Sequence, residues 1–389
     1  MRSFLSRLSG DNGACLKIQL KNDFIFLRGA AGEAAEQPLN GTLNLRLPCG
    51  QPADGVRLRM VGFLRCRSHD AKTNTPESYR TIRVFEHEWP PFVIDNGFQV
   101  SHTDSFNTYE WPFEFMVPGD TPESFRGCSC CSVSYQLTAT TMRSKSSAST
   151  PQAYRPLRIN RTPRGDSAFE LMDAATAEGT WAGRVEYRVS LAHRAVALGT
   201  GVPLEVILTP LRKGLRVERV RCEMTEQHTF RLSGPRSLPT FEGDRTVGEW
   251  DMPVEDAPED TEQPSYRAVR RLPLPADPKK CSPDTETENI STSHTLHVEV
   301  NVVEEGDNLL KSRYHVTIPV VLFMSPELPV DASENFVRPK GSVAEDDGNL
   351  VKAFSGLELP PCYGLHLCDK MLEASESIIP HDSRTVESS

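Results

Sequence analysis

Apolar and polar residues alternate along most of this chain, and that alternation restricts its fold more than any other feature. Leu16, Ile18 and Leu20 are separated by Lys17 and Gln19; Leu43, Leu45 and Leu47 repeat the pattern, and Val56, Leu58 and Met60 continue it toward Phe63, Leu64 and Cys66. Trp111, Phe113, Phe115 and Val117 follow, then Val133, Tyr135, Leu137 and Ala139. A second series runs through Val185, Tyr187, Val189 and Leu191, then through 203–209, 215–222, 296–302 and 314–321. Successive side chains of a strand point to opposite faces, so period-two spacing is the mark of strands buried on one side. No segment carries apolar residues at three-and-four spacing over several turns. Residues 167–177, with Phe169, Leu171, Met172 and Ala175, amount to a short helix or a linker. Many short strands without intervening helices predict an all-β protein of sandwiches. Asn40-Gly41 and Asp95-Asn96-Gly97 have the residues expected of turns between those strands.

The strands fall into two blocks, and 389 residues suffice for two cores. The expected organisation is a first sandwich over 12–163, a linker over 164–183 and a second sandwich over 184–325. Gly165, Gly179 and Gly183 bracket the polar linker, where the alternation lapses. Residues 233–283 are rich in proline and acid, and read as an irregular insertion in the second block. Within them, 242–262 hold nine acidic residues against Arg245 alone, a charge of −8 out of the net −10. Self-repulsion and few large apolar residues predict that this insertion is dispensable for folding. Residues 326–389 turn polar and are expected to form a disordered tail. The acidic balance argues against nucleic acid as a partner.

That tail contains Pro360-Pro361-Cys362-Tyr363. Paired prolines hold the backbone near polyproline II, so the segment is extended before it meets a partner, and Tyr363 offers one aromatic anchor. Grooves such as those of WW domains recognise this combination. With 30 prolines and 8 tyrosines in the chain, chance supplies about 0.05 such matches. Pro360, Pro361 and Tyr363 are therefore the expected WW-domain contacts.

Other signals are weaker. Arg212, Lys213, Arg216, Arg219 and Arg221 crowd one strand and its turn, a candidate contact for anionic lipid or acidic cargo, against the bland reading of a solvated strand face. Ser146 follows Arg143 and Lys145 in a basophilic kinase context and is a candidate phosphosite. Cys128, Cys130 and Cys131 cluster without a second pair at zinc-finger spacing, so strand-borne thiols are favoured and no metal site is expected. Met1–Gly10 lacks the apolar run of a secretory signal, so the ten cysteines are expected to be reduced thiols in the cytosol. On that ground the Arg164-Gly165-Asp166 triplet and the sequons at Asn40, Asn160 and Asn289 read as chance; His69, His87 and His102, scattered among polar strand ends, read as solvated or hydrogen-bonded side chains and not ligands. No phosphate loop, nucleophile elbow or metalloprotease helix occurs, so no catalytic residue, enzymatic activity or cofactor is expected.

Several strands also resemble a known family. Residues 38–43 followed by 56–62 resemble the opening of an arrestin N-terminal domain, and Trp111-Pro-Phe113-Glu-Phe115-Met-Val117-Pro118 its F-x-F-x-(L/I)-P strand. Ser132–Leu137 is similar to a further strand of that domain. Residues 185–191, with Gly201-Val-Pro203-Leu204 and Pro210-Leu211, resemble the start of an arrestin C-terminal domain, and Ile318-Pro319-Val320-Val321-Leu322 its close. The likeness covers roughly residues 16 to 325 and is nearest to the α-arrestins, the fungal arrestin-related trafficking adaptors. It implies two tandem immunoglobulin-like β-sandwiches (the arrestin fold) and a non-enzymatic cytosolic adaptor, recruited to plasma membrane and endosomes. Such an adaptor engages cytosolic segments of transporters or receptors, and through P-P-x-Y recruits a HECT-type ubiquitin ligase that marks them for endocytosis. Family members often carry several such motifs and this chain has one, which limits avidity. The competing implications are a ligase-independent arrestin-like scaffold in endosomal sorting or signalling and, from another class, a secreted adhesion sandwich, which oxidised cysteines would favour.

Overall fold

Side chains that alternate in the sequence alternate in burial along most strands of the computed structural model. From Cys131 to Met142 every second residue is buried, without interruption. The structure describes residues 13–326 except 69–77, 97, 103–104, 127–130, 143–150, 164–172, 232–240, 257–264, 276, 288 and 305–309.

The first half supplies β1 (Cys15–Leu20), β2 (Phe24–Arg28), β3 (Gln37–Pro48), β4 (Gly55–Ser68), β5 (Ser78–Glu88), β6 (Phe92–Val93), β7 (Phe98–His102), β8 (Phe106–Val117), β9 (Cys131–Met142) and β10 (Gln152–Thr162). The second supplies β11 (Ala175–Trp181), β12 (Val185–Leu191), β13 (Ala195–Ala197), β14 (Gly201–Pro210), β15 (Leu215–Phe230), β16 (Phe241–Met252), β17 (Glu255–Asp256), β18 (Tyr266–Pro273), β19 (Thr285–Glu286), β20 (Ile290–Glu304) and β21 (Leu310–Phe323). Sheet β1-β3-β8-β7 faces sheet β2-β10-β9-β4-β5, and sheet β11-β12-β14-β18-β17 faces sheet β13-β21-β20-β15-β16. Pairing is antiparallel except for β2 with β10 and β13 with β21. No sheet draws strands from both halves, as expected of two sandwiches in tandem.

Each sandwich closes over its own core. In the first, Leu43, Leu45 and Leu47 of β3 pack toward Leu58 and Met60 of β4 and Leu137 of β9. In the second, Val202, Leu204, Val206 and Leu208 of β14 pack toward Cys222 and Met224 of β15 and Leu296 and Val298 of β20. Each fully buried aliphatic side chain contributes about 1.5–3 kcal/mol. The two bodies also touch. Phe230 and Ile290, opposite each other at the ends of β15 and β20, belong to the first core, and Phe26 packs on the second.

Three expectations need correction. The linker ends earlier than the sequence suggests: Ala175–Trp181 pairs along its length with β12, and Trp181 stacks on Tyr187 and Tyr314 at 4.1 and 5.2 Å. The irregular insertion at 233–283 contains β16, β17 and β18, and β16 extends the second sandwich beside β15. Like charge does not prevent this, because two of the acidic residues of β16 reach arginines of β15: Asp251 lies 2.7 Å from Arg219 Nε, and Glu249 pairs with Arg221. Meanwhile Val247 and Trp250 pack against the core. Finally, Asn40-Gly41 is no turn but the middle of β3, paired on both sides. A Cβ on Gly41 would lie 2.5 Å from Gln19 O and 2.5 Å from the Phe113 ring, so glycine serves close packing there.

Candidate functional site

Two places concentrate charge: the turn leading into β15, and a buried cluster farther along the same strand. Arg212 and Lys213 are exposed in the β14–β15 turn, and Arg216 and Arg219 are exposed on β15, with Arg221 half-buried. The structure therefore brings the five predicted basic residues to one end of one strand. Their field is weaker than the sequence implies, since Asp251 and Glu249 lie against Arg219 and Arg221. Arg212 and Lys213 carry the part of the charge that reaches solvent most openly.

The cluster begins with register. Cys222, Met224, Glu226, His228 and Phe230 share the inward face of β15, so a carboxylate and an imidazole occupy core positions. Arg245 of β16 is the cross-strand partner of Glu226 on one side, and His294 of β20 on the other. Glu226 is completely buried, with Oε1 2.7 Å from Arg245 Nη2 and 2.7 Å from His228 Nε2. Its Oε2 accepts from the Ser282 N–H at 2.9 Å and lies 3.2 Å from His294 Nε2. His294 Nδ1 in turn lies 2.6 Å from Asp284 Oδ1, which accepts the Leu322 N–H at 3.0 Å. Burial alone would raise the Glu226 pKa, but hydrogen bonds from His228, His294, Arg245 and Ser282 outweigh it and hold the carboxyl well below the usual range. Burial opposes charge on His294 too, yet hydrogen bonds with Asp284, Cys281 and Glu226 bring its pKa to about 11.

This cluster lies where the sandwiches meet. Ser282 Oγ donates to Arg126 O at 3.0 Å, and the Phe125 ring stands edge-on to His228 at 5.9 Å. Glu123, on the same loop of the first sandwich, is 3% exposed. Burial pushes its pKa up to about 7, against the opposing pull of Arg161 and a hydrogen bond with Thr285. Arg161 pins that loop by donating to Gly119 O at 3.0 Å and Thr121 O at 3.2 Å.

Sequence reasoning passed over Glu226, His228, Arg245, Asp284 and His294, although one signal was present. Glu226 and His228 fall in phase with Met224 and Phe230, and His294 with Ile290 and Leu296, where a solvent-facing residue has no place. Of the other predicted residues, Pro360, Pro361, Tyr363, Ser146, Cys128, Cys130, His69 and the Arg164-Gly165-Asp166 triplet lie outside the described residues. His87 is half-buried and stacks on Phe115 at 3.8 Å, and Asn160 is buried in β10, out of reach of any glycan. Among the described residues the cysteines are thiols and not disulfides, and burial pushes Cys131 and Cys222 up to about 12, unsuited to nucleophilic work. No helix among them is long and apolar enough to cross a membrane.

Comparison with known proteins agrees with this architecture. Residues 181–327 match the family model for the C-terminal domain of arrestin (or S-antigen). The chain is 30% identical over 381 residues to a probable HECT-type ubiquitin ligase-interacting protein creD of Aspergillus clavatus, covering 94% of this chain and 62% of that protein. A protein of the same name from Neosartorya fischeri is 31% identical over 380 residues, covering 94% and 61%. The HECT-type ubiquitin ligase-interacting protein creD of Emericella nidulans is 29% identical over 383 residues, covering 94% and 62%. The chain thus spans about three-fifths of the length of the relatives it matches.

Proposed function

We propose that this chain is an arrestin-type adaptor that brings a HECT-type ubiquitin ligase to membrane-protein cargo, a reading supported by the match of residues 181–327 to the arrestin C-terminal domain and by its likeness to the creD proteins. The observation that carries this reading is the coincidence of two facts. The relatives are named for interaction with such a ligase, and this chain has Pro360-Pro361-Cys362-Tyr363, a form that WW domains recognise. In this reading the two sandwiches engage cytosolic segments of a transporter or receptor, and the tail holds the ligase near lysines of that cargo. The contribution is effective concentration and not chemistry, so the adaptor is non-enzymatic and needs no cofactor. It works in the cytoplasm, at plasma membrane and endosomes. Arg212 and Lys213 are its candidate contacts with anionic headgroups or acidic cargo tails.

A short extended ligand with one aromatic anchor should bind with a Kd of roughly 1–100 µM, about −8 to −5.5 kcal/mol. Losing the anchor costs about 2 kcal/mol or more, which ends useful binding from so weak a start. Titrating a peptide spanning 356–367 into isolated WW domains of HECT ligases tests the reading, with Tyr363→Ala as the control. Equal binding by both peptides, or by neither, would remove the motif from the mechanism. In cells, Tyr363→Ala should stop cargo ubiquitylation and leave cargo association intact.

A further inference from the structure

We propose that Glu226, Cys281 and His294 form a binding site for a divalent transition-metal ion of the zinc type, buried beside the contact between the two sandwiches. The three arrive from separate segments: β15, the stretch before β19, and β20. One ligand atom from each (a carboxylate oxygen, a thiol sulfur and an imidazole nitrogen) lies within 4.8 Å of the other two, and all three residues are buried. Around a tetrahedral zinc ion, with bonds of roughly 2.0–2.3 Å, such atoms stand about 3.5 Å apart. Glu226 Oε2 and His294 Nε2, at 3.2 Å, are already near that spacing.

The surroundings have the organisation that metal-binding histidines require. A ligating imidazole offers one nitrogen to the ion and keeps the other on a carboxylate or carbonyl, which fixes the ring. His294 does this through Nδ1 and Asp284 Oδ1, at 2.6 Å, and Asp284 is itself held by the Leu322 N–H. His228 lies on the other side of the carboxylate, with Nδ1 toward Thr292 Oγ1 and Nε2 toward Glu226 Oε1. Both imidazoles thus turn Nε2 to the same carboxylate, His294 at Oε2 on the side of Cys281 and His228 at Oε1, and the fourth position of the ion is left to a water or hydroxide. Sulfur and imidazole together favour zinc-type ions over magnesium or calcium, which prefer oxygen.

Charge balance permits the exchange despite Arg245 nearby. Glu226 and Asp284 bring two carboxylates to the cluster and Arg245 one guanidinium. Binding a dication requires the thiolate and an imidazole nitrogen free to ligate, so the sulfur gives up its proton as the ion arrives. Two carboxylates, a thiolate, the guanidinium and a dication sum to zero, so no uncompensated charge is buried. Because Ser282 and Thr285 of the same segment contact Arg126 and Glu123, the ion would fasten to the second sandwich the stretch that touches the first.

The test is cobalt(II), titrated into the metal-stripped full chain, followed by competition with zinc. The expected result is about one ion per chain, displaced by zinc, with a near-ultraviolet thiolate-to-cobalt band that disappears in Cys281→Ser. The chain has ten cysteines, so the band in that variant separates this site from adventitious thiol binding. Asp284→Asn keeps every ligand and should weaken zinc about ten- to a hundred-fold through loss of ring orientation. That variant also serves if a ligand substitution prevents folding. Absence of binding at micromolar free metal, a band that survives Cys281→Ser, or unchanged affinity in Asp284→Asn would overturn the proposal.

Discussion

Replacing Arg245 by methionine tests whether the buried cluster acts as one ionic unit. Arg245 reaches Glu226 with Nη2 2.7 Å from Oε1, and also donates to Ser282 Oγ at 3.3 Å and, through Nη1, to Lys279 O at 2.7 Å. The Glu226 side chain is fully buried, whereas that of Arg245 is 26% exposed. Removing one partner of a buried pair costs about 3–5 kcal/mol because the other charge stays uncompensated, and the partial exposure of Arg245 favours the lower end. At about 2–4 °C per kcal/mol for a unit of this size, Arg245→Met should lower the melting temperature of the second sandwich by about 6–12 °C. Glu226→Gln should cost a similar amount, leaving Arg245 and His294 opposed by Asp284 alone. Combining the two leaves His294 and Asp284 balanced, so the double variant should be more stable than the summed single effects imply, by about 2 kcal/mol or more. Urea unfolding of the four proteins, followed by tryptophan fluorescence and far-ultraviolet circular dichroism, measures this cycle. Additivity within about 0.5 kcal/mol would refute the view that these charges depend on one another.

Deleting residues 242–262 with a short Gly/Ser bridge should destabilise the second sandwich strongly, because it removes nearly all of β16 together with Trp250 and Arg245; thermal melts of the two proteins decide. His294, raised from 6.5 to about 11, contributes stability that is complete below pH 6.5 and is lost as the pH rises toward 11; His294→Gln should flatten that decline in unfolding curves between pH 6.5 and 10. Glu123, raised from 4.5 to about 7, contributes stability that is complete below pH 4.5 and is lost as the pH rises through 7. Glu123→Gln should therefore gain on the wild type between pH 5 and pH 8, read from paired urea midpoints. Gly41→Ala should cost on the order of 1–3 kcal/mol by forcing Phe113 from its place against β3, measured by urea unfolding.

The strands that alternate cleanly were legible in the sequence because each buries one face: Val133–Ala139 and Val185–Leu191 are strands in the structure over those residues. The strands that were missed break the pattern for identifiable reasons. β5 lies at the end of its sheet and has no buried side chain among its described residues, so its composition is not sorted by face. β10 carries Pro156 and three arginines, whose partners (Asp23 for Arg155, backbone carbonyls for Arg161) come from distant parts of the chain. β16 looked like repelling acid because its neutralising arginines are some thirty residues upstream. The cluster around Glu226 was hidden for the same reason. Glutamate and histidine within a strand are ordinary until the register shows which face they occupy, and Cys281 and Asp284 reach them from a stretch with no motif of its own.

The pairing of β15 has a consequence for how this fold can change in length. From Val220 to Phe230 β15 is bonded on one side to β20 and on the other to β16, so a residue inserted or deleted between Val220 and Glu226 would exchange the faces of the residues that follow it. Thr225 and Gln227 would turn inward, and Glu226 and His228 would be carried into solvent, away from Arg245 and His294. β16, at the edge of the sheet, is under no such obligation. Opposite Met224 and Thr225 it already accommodates one extra residue, Val247, as a bulge between Thr246 and Gly248. Changes of length in this domain should therefore be tolerated on β16, in its flanking loops and at the start of β15, where Glu218 is already an extra residue between the partners of Val302 and Asn301, while β15 from Arg219 to Phe230 keeps its residue count and admits substitution only.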